Sequence, residues 1–146
     1  MNTLVRALVL VIVAVCAQSC ASTQAEHVVV FEPDPTLAFD RCIPVSRVAD
    51  TDVLDDQNIL FRMRGRELYR NFLPRRCPGL RNRDAFSYES RTGSLCRGDL
   101  VEVLEIGGIG PRVGTPCQLG GFYPVTAEEA EALKAEIERV RELGLN

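Results

Sequence analysis

The chain has 146 residues, a formal net charge of −3 and six cysteines. This mildly acidic balance excludes the strongly basic composition of a general nucleic-acid-binding protein, so no nucleic-acid partner is expected. The length is enough for one domain with a modest hydrophobic core.

The first segment is typical of a secretory signal. Arg6 precedes an apolar run over residues 7–17, which is shorter than the roughly 20 residues that span a bilayer as a helix. A short positive region, an apolar stretch and small residues after it are the parts of a cleavable signal peptide. We therefore predict a signal peptide over residues 1–19 and expect the protein to be exported.

The cleavage site has two interpretations. Residues 17–20 read AQSC and resemble the lipobox of bacterial lipoproteins, in which a cysteine after small residues is lipidated and becomes the new N-terminus. Cys20 would then carry the lipid, residues 20–38 would form a lipidated tether, and the membrane would be a partner through this anchor. Because Ala21 and no aspartate follows the cysteine, resemblance to known lipoproteins implies the outer membrane, facing the periplasm. The alternative is ordinary cleavage after Ala25.

Residues 39–125 carry a β-like pattern. Short β-branched or aromatic segments alternate with turn residues, which is typical of a small antiparallel barrel or sandwich. Gly65 lies between two such segments and predicts a hairpin. The segment 100–106 is almost entirely apolar, so we expect it to be central in its sheet. The predicted strands are 42–48, 57–64, 67–73, 85–90 and 100–106, and a loop is predicted from 107 to 116.

The last segment, residues 126–144, predicts an amphipathic helix. Thr126 is the expected N-cap, Glu129 completes a capping box, and Gly144 ends the helix. Its apolar residues recur at spacings of three and four and form one face, which we expect to pack on the sheet. The same spacing fits a short heptad seam, so docking of this face on a partner is the alternative. The predicted class is α+β, mainly β. The apolar face consists of Ala130, Leu133, Ile137 and Val140.

Four cysteines lie in the body of the chain, at Cys42, Cys77, Cys96 and Cys117. In an exported chain, an even number of widely spaced cysteines predicts two disulfide bonds. Four cysteines allow three pairings, and the sequence does not choose among them. We favour Cys77–Cys96 nested inside Cys42–Cys117. A structural zinc site would require closely spaced cysteine pairs, so no metal is predicted.

Candidate catalytic groups are few. His27, the only histidine, lies in the tether, where no rigid scaffold holds it against a nucleophile. The acidic stretch 50–56 fails the EF-hand pattern, because Asp55 replaces the required glycine, and it is interpreted as a solvated turn. We therefore assign no catalytic residue. An enzyme that uses Asp55, Asp56 or Asp99 as acid or base is the alternative.

A glycine-rich segment follows the apolar strand at 107–110. It fails the G-x-G-x-x-G fingerprint of dinucleotide-binding loops, because Val113 takes the position of the last glycine. No cofactor is predicted.

Positive charge is concentrated in one part of the chain. Residues 62–83 contain eight arginines and one acidic residue, whereas residues 26–56 contain eight acidic residues and two arginines. One interpretation is a basic surface for an anionic envelope polymer, since arginine binds phosphate well. Arg75 and Arg76 are then the candidate ligand contacts. The other interpretation is that the two segments neutralise each other across the fold.

Several short motifs carry a resemblance to a known family. They are Arg41-Cys42-Ile43, Asp55-Asp56 with Ile59-Leu60-Phe61, Tyr69-Arg70-Asn71-Phe72-Leu73, Cys77-Pro78-Gly79-Leu80, Leu95-Cys96 with Gly98-Asp99, and Cys117-Gln118-Leu119-Gly120 leading to Phe122 and Pro124. Over residues 40–125 the chain resembles a family of small, uncharacterised bacterial exported proteins, a domain of unknown function. The resemblance implies an exported, disulfide-bearing domain that is often lipidated, and it implies no activity.

These observations together predict a non-catalytic envelope lipoprotein that binds or scaffolds at the membrane surface. Its partners would be the membrane and either an anionic envelope polymer or an envelope protein. The alternatives are a carboxylate-dependent periplasmic enzyme and a subunit of an envelope assembly that docks through its C-terminal helix.

Overall fold

A computed structural model describes residues 31–83, 86–90, 92–106 and 111–145. The predicted signal peptide, Cys20 and most of the tether lie outside these residues. The described chain contains nine β-strands and two α-helices. They are β1 (Cys42–Pro44), β2 (Val48–Val53), β3 (Asn58–Met63), β4 (Leu68–Phe72), α1 (Leu80–Arg83), β5 (Phe86–Tyr88), β6 (Ser94–Cys96), β7 (Leu100–Ile106), β8 (Pro111–Gln118), β9 (Phe122–Val125) and α2 (Ala127–Glu142), with a 3₁₀ turn at Val45–Arg47 between β1 and β2.

The strands form three antiparallel sheets. One has four strands in the order β2-β3-β4-β9, one has three in the order β5-β7-β8, and one pairs β1 with β6. The described strands close no barrel, so the sheets are sandwich-like. The predicted α+β, mainly β class is confirmed, and β7 occupies the centre of its sheet as expected.

The predicted hairpin is confirmed between β3 and β4. Phe61 lies opposite Tyr69 in the register of these strands, and the amide of Met63 donates to the carbonyl of Glu67 at 2.9 Å to close the turn. Gly65 supplies the left-handed backbone at φ +107°, which a residue with a side chain rarely adopts.

The main core lies between the four-stranded sheet and the two smaller sheets. Phe61 of β3 and Phe122 of β9 are fully buried, and their rings meet edge to face at 5.4 Å. Ile43 of β1, Leu95 of β6 and Val101 of β7 belong to the same buried cluster. The core therefore joins all three sheets into one unit.

The C-terminal helix α2 covers the other face of the four-stranded sheet. Alternate residues of a strand point to opposite faces, so Leu60, which is buried, points away from the main core and towards this second layer. On the helix, Ala130, Ile137 and Val140 are 2–3% exposed. Lys134 binds Asp52 of β2 at 2.6 Å. The predicted packing of the helix on the sheet is confirmed.

Both ends of α2 are as predicted. The backbone N–H of Thr126 donates to Oε2 of Glu129 at 2.7 Å, and the backbone N–H of Glu129 donates to Oγ1 of Thr126 at 3.1 Å. These two bonds make the capping box. The pKa of Glu129 is held below its ordinary value first by the bond from the backbone N–H of Thr126 and then by the hydroxyl of Thr126, which donates to Oε2 at 2.9 Å. Gly144, at φ +69°, follows the last turn.

The four body cysteines form two disulfide bonds, as predicted, but the favoured pairing is wrong. The bonds are Cys42–Cys96 and Cys77–Cys117. The pairing was mispredicted because strand β6 was not predicted. This strand places Cys96 directly opposite Cys42 of β1. The sequence separations are 54 and 40 residues, for which chain entropy gives about 4 kcal/mol of stabilisation each. The contribution of each bond is thus a large part of the free energy of unfolding of a small domain.

Two further local predictions are wrong. The acidic stretch is a strand up to Val53, because β2 pairs with β3 over Val48–Val53, and the turn is confined to the residues after it. The loop predicted from 107 to 116 contains most of β8. The prolines of β8 are tolerated because this strand lies at the edge of its sheet, where a missing N–H breaks no ladder.

Candidate functional site

Asp55 is held in the turn before β3 by four hydrogen bonds from three nitrogen atoms. Its Oδ1 accepts from the backbone N–H of Gln57 at 2.6 Å and of Asn58 at 2.7 Å. The side-chain amide of Asn58 donates to both carboxylate oxygens, at 2.9 and 2.8 Å. An aspartate that accepts bonds from the next residues in this way fixes a turn. Asp55 therefore has a structural role here.

Arg70 continues this network into the interior. Its Nε donates to Oδ1 of Asn58 at 2.8 Å, and its guanidinium lies 5.6 Å from the ring of Phe72. Its Nη2 is buried, with no hydrogen-bond partner among the residues described. Burial lowers the pKa of Arg70, and the negative charge of Asp55 opposes this shift. This arginine of the basic segment is thus not available as a surface ligand contact.

Asp56 connects the turn before β3 to the loop that follows β4. Its Oδ1 accepts from the backbone N–H of Arg81 at 3.2 Å, and its Oδ2 lies 3.5 Å from Nη2 of Arg76. Its backbone carbonyl accepts from the amide of Cys77 at 2.7 Å. Asp56 therefore holds the side chain of Arg76 near the backbone of Arg81 in α1.

Asp99 caps the turn between β6 and β7. Its Oδ2 accepts from the backbone N–H of Cys96 at 2.7 Å, and its own amide donates to the carbonyl of Cys96 at 3.0 Å. Of the carboxylates considered for acid–base chemistry, Asp55 and Asp99 thus fix local turns, whereas Asp56 binds residues that follow β4. Of the two concave surfaces described below, neither is lined by two of these three aspartates.

A basic groove of about 360 Å³ lies between β2, α1 and α2. Three cations and two carboxylates contribute to it, so its charge is positive on balance. Lys134 binds Asp52 across the groove at 2.6 Å, and Arg141 pairs with Glu138 along the helix. The groove is lined by Asp52, Val53, Leu54, Arg81, Lys134, Ile137, Glu138 and Arg141.

The ion pair of Asp52 and Lys134 sets the electrostatics of the groove. Partial burial favours the neutral form of Asp52, but the hydrogen bonds and charges of Lys134 and Arg62 outweigh it, so the pKa of Asp52 is lowered. The hydrogen bond to Asp52 raises the pKa of Lys134. These charges are therefore compensated. Arg81 is the third cation of the groove, and it forms no ion pair with another residue of the described chain.

The two predicted ligand contacts, Arg75 and Arg76, are exposed in the loop after β4. Since Asp56 contacts both Arg76 and the backbone of Arg81, this loop adjoins the basic groove. Arg81 was not singled out from the sequence. Arg81 differs from the other arginines of the segment in its position beside α2. No local pattern in the sequence reveals this position.

Part of the acidic segment does neutralise part of the basic segment across the fold. Arg62 lies 3.3 Å from Asp52 and 3.8 Å from Asp50 on the neighbouring strand. Asp56 contacts Arg76 in the same way. The neutralising interpretation is therefore supported for Arg62 and Arg76.

A second concave surface, the acidic cleft, has a volume of about 550 Å³. Tyr88 and Leu100 line it, and their side chains are 37% and 55% exposed. This cleft was not predicted from the sequence, because it depends on strand β6, which forms one wall and was not predicted either. The cleft is lined by Tyr88, Glu89, Thr92, Ser94, Cys96, Gly98, Asp99, Leu100 and Glu102. Within the described ranges, no group of three or more histidine, cysteine or acidic side chains could hold a metal ion.

The fold and surface define a small, disulfide-bonded, mainly β domain with a C-terminal helix. The chain belongs to a family of unknown function, DUF6491, which matches residues 1–141. This confirms the resemblance to an uncharacterised family. No curated protein and no solved structure matches the chain.

The two disulfide bonds indicate an oxidising location. None of the helices in the described part of the chain is long and apolar enough to cross a membrane.

Proposed function

We propose that the protein is a non-catalytic lipoprotein of the bacterial cell envelope that binds an anionic partner at the membrane surface. The observation that carries this proposal is the position of Asp56, which contacts Arg76 and the backbone N–H of Arg81, a residue that lines the basic groove. Arg75 is exposed and precedes Arg76 in the chain. Lipidation of Cys20 would hold this surface near the membrane through a tether over residues 20–38.

The chemistry of the groove suits phosphate or carboxylate groups. Guanidinium groups bind these anions through paired hydrogen bonds. The contact of Arg76 with Asp56 is 3.5 Å long, and the arginine side chain is 47% exposed. An exposed pair of this kind contributes about 1 kcal/mol or less, so an anionic ligand can compete for Arg76.

The other two predicted functions receive less support. Docking through the helix would need its apolar face, but Ala130, Ile137 and Val140 are buried on the protein's own sheet. A carboxylate-dependent enzyme would need free acid–base groups, whereas Asp55 and Asp99 cap turns.

Membrane anchoring is tested first, by the intact mass of the protein from membrane and soluble fractions of its native host. We expect a chain that begins at Cys20 and carries acyl groups, in the membrane fraction. The variant Cys20→Ser should appear in the soluble fraction, and Cys16→Ser should not. A soluble wild-type chain that begins at Glu26 would overturn the lipoprotein proposal.

Anion binding is tested with vesicles that contain anionic phospholipid. The double variant Arg75→Ser/Arg76→Ser should bind more weakly by about 2 kcal/mol, or roughly thirtyfold, since one arginine near such a surface contributes about 1 kcal/mol. Arg64→Ser/Arg66→Ser is the matched control, because it removes two exposed arginines from the turn at the other end of β3 and β4. Equal losses in both variants would mean that only net charge matters, and unchanged binding would remove the proposed contacts.

A further inference from the structure

The two disulfide bonds lie in opposite environments. Cys77 is fully buried and Cys117 is 8% exposed, and both belong to the main core. Cys42 is exposed and Cys96 is half-buried, at the surface where β1 meets β6. A disulfide is reduced only where a thiolate can reach one of its sulfur atoms. Of the two bonds, only Cys42–Cys96 is therefore accessible to a thiolate from solvent.

The acidic cleft leaves room for a partner beside the accessible bond. Cys96 lines this cleft, so the side of the bond away from Cys42 faces open space. Tyr88 and Leu100 add exposed apolar surface at the same place. A polypeptide loop that carries an attacking cysteine therefore has both space and contact surface next to the bond.

The strands around this bond are held together by more than the disulfide. Ile43 lies opposite Leu95 in the register of β1 and β6, and both side chains are buried in the core. The amide of Arg97 donates to the carbonyl of Arg41 at 2.6 Å. Because these contacts do not involve sulfur, we expect the strands to stay paired when the bond is open. The two thiols would then remain opposite each other and able to reoxidise.

We propose that Cys42–Cys96 is a thiol–disulfide exchange site for a protein dithiol, whereas Cys77–Cys117 is a permanent structural bond. A thiolate of the partner, approaching from the cleft, attacks Sγ of Cys96, and the bond between the two sulfurs breaks. Cys42 leaves as a thiolate and takes up a proton. The partner's second thiol then attacks the mixed disulfide and releases Cys96, which is also protonated. The partner is oxidised to its disulfide by two electrons, and this chain is reduced by two.

The proposal is tested on the oxidised full-length protein with dithiothreitol as the dithiol probe. Samples are quenched over time, alkylated and digested, and mass spectrometry measures the labelling of each cysteine. We expect Cys42 and Cys96 to be labelled at least about tenfold faster than Cys77 and Cys117. Circular dichroism of the species with two thiols should match that of the oxidised protein, and removal of the dithiol should restore Cys42–Cys96.

The double variant Cys42→Ser/Cys96→Ser is the control and should lose the fast phase of labelling. Labelling of both pairs at one rate, or of Cys77 and Cys117 first, would overturn the proposal. Loss of structure in the species with two thiols would also overturn it, because the bond would then be structural. A peptide map of the unreduced protein checks the pairing itself, and any other pairing refutes the exchange site.

Discussion

Replacing Asn71 with leucine should destabilise the fold by several kcal/mol, because the side chain of Asn71 is the hydrogen-bond partner of a distant piece of backbone. Its Nδ2 donates to the carbonyl oxygen of Gly120, and its Oδ1 accepts from the N–H of Gly120, both at 3.0 Å. Asn71 is completely buried, and Gly120 is buried as well. Leucine would leave both backbone groups of Gly120 without a partner in the interior.

The expected magnitude follows from these two groups. A buried donor or acceptor that loses its partner costs about 1–3 kcal/mol, so the pair gives about 2–6 kcal/mol. The added apolar surface of leucine offsets part of this loss, and we expect a net change of about 3–4 kcal/mol. A domain of this size has a free energy of unfolding of about 5–15 kcal/mol, so Asn71→Leu should remove a large part of it.

Urea unfolding of the oxidised protein, followed by far-ultraviolet circular dichroism, measures this loss as a shift of the midpoint at constant slope. Asn82→Leu is the matched control, since Asn82 is exposed on α1, and it should change stability by less than about 0.5 kcal/mol. A loss below about 1 kcal/mol in Asn71→Leu, or equal losses in the two variants, would refute the role assigned to Asn71.

Three further substitutions test other parts of the fold. Gly120→Ala should lose more than about 4 kcal/mol, because its Cβ would overlap a backbone carbonyl of β4, whereas Gly93→Ala, whose Cβ meets nothing within 4 Å, should lose about 1 kcal/mol for its positive φ. Asp52→Asn should cost about 1 kcal/mol or less at pH 7. The pKa of Asp52 is lowered in the folded state. The stabilisation by the Asp52–Lys134 pair is therefore complete above the unfolded pKa of about 3.9 and is lost as the pH falls through the folded pKa. A difference in stability between Asp52→Asn and wild type that persists in strong acid would contradict the pairing with Lys134. Thr126→Ala should cost about 1 kcal/mol in thermal unfolding, and no change would mean that α2 does not depend on its cap.

The elements that the sequence predicted correctly have signals within a few residues of one another. Gly65 marks a turn between two apolar segments, and β3 and β4 pair around it. Thr126 and Glu129 are three residues apart and make the capping box of α2. Local hydrogen bonds and backbone preferences decide such features, so a sequence pattern is enough.

The wrong predictions concern contacts between distant residues. Cys42 and Cys96 are 54 positions apart, and the bond between them depends on the pairing of two three-residue strands, β1 and β6. Strands this short have no clear pattern of their own. β8 was missed because its prolines and glycine indicate a loop, and only its edge position makes them acceptable.

The candidate site was predictable in part. The clustering of arginines in the sequence identified Arg75 and Arg76, and both lie on the surface. The same count included Arg70, which packs against Phe72 and binds Asn58 in the interior. Charge along a sequence does not distinguish an exposed arginine from a half-buried one that is held against neighbouring strands. The basic groove depends on the docking of α2 beside β2, which is a tertiary contact.

The motifs that carry the family resemblance have structural roles, and this determines how the function should be sought. Cys77 and Cys117 form a disulfide bond in the main core, Asp55 fixes a turn, and Asn71 binds Gly120. A substitution at any of these residues is expected to impair binding by destabilising the fold, so a loss of function there would not identify a ligand contact. Arg75 and Arg76, which are exposed, and Arg81, which is half-buried, lie between or beside these motifs. Substitutions at these arginines leave the core contacts in place, so a change in binding can be assigned to the surface itself.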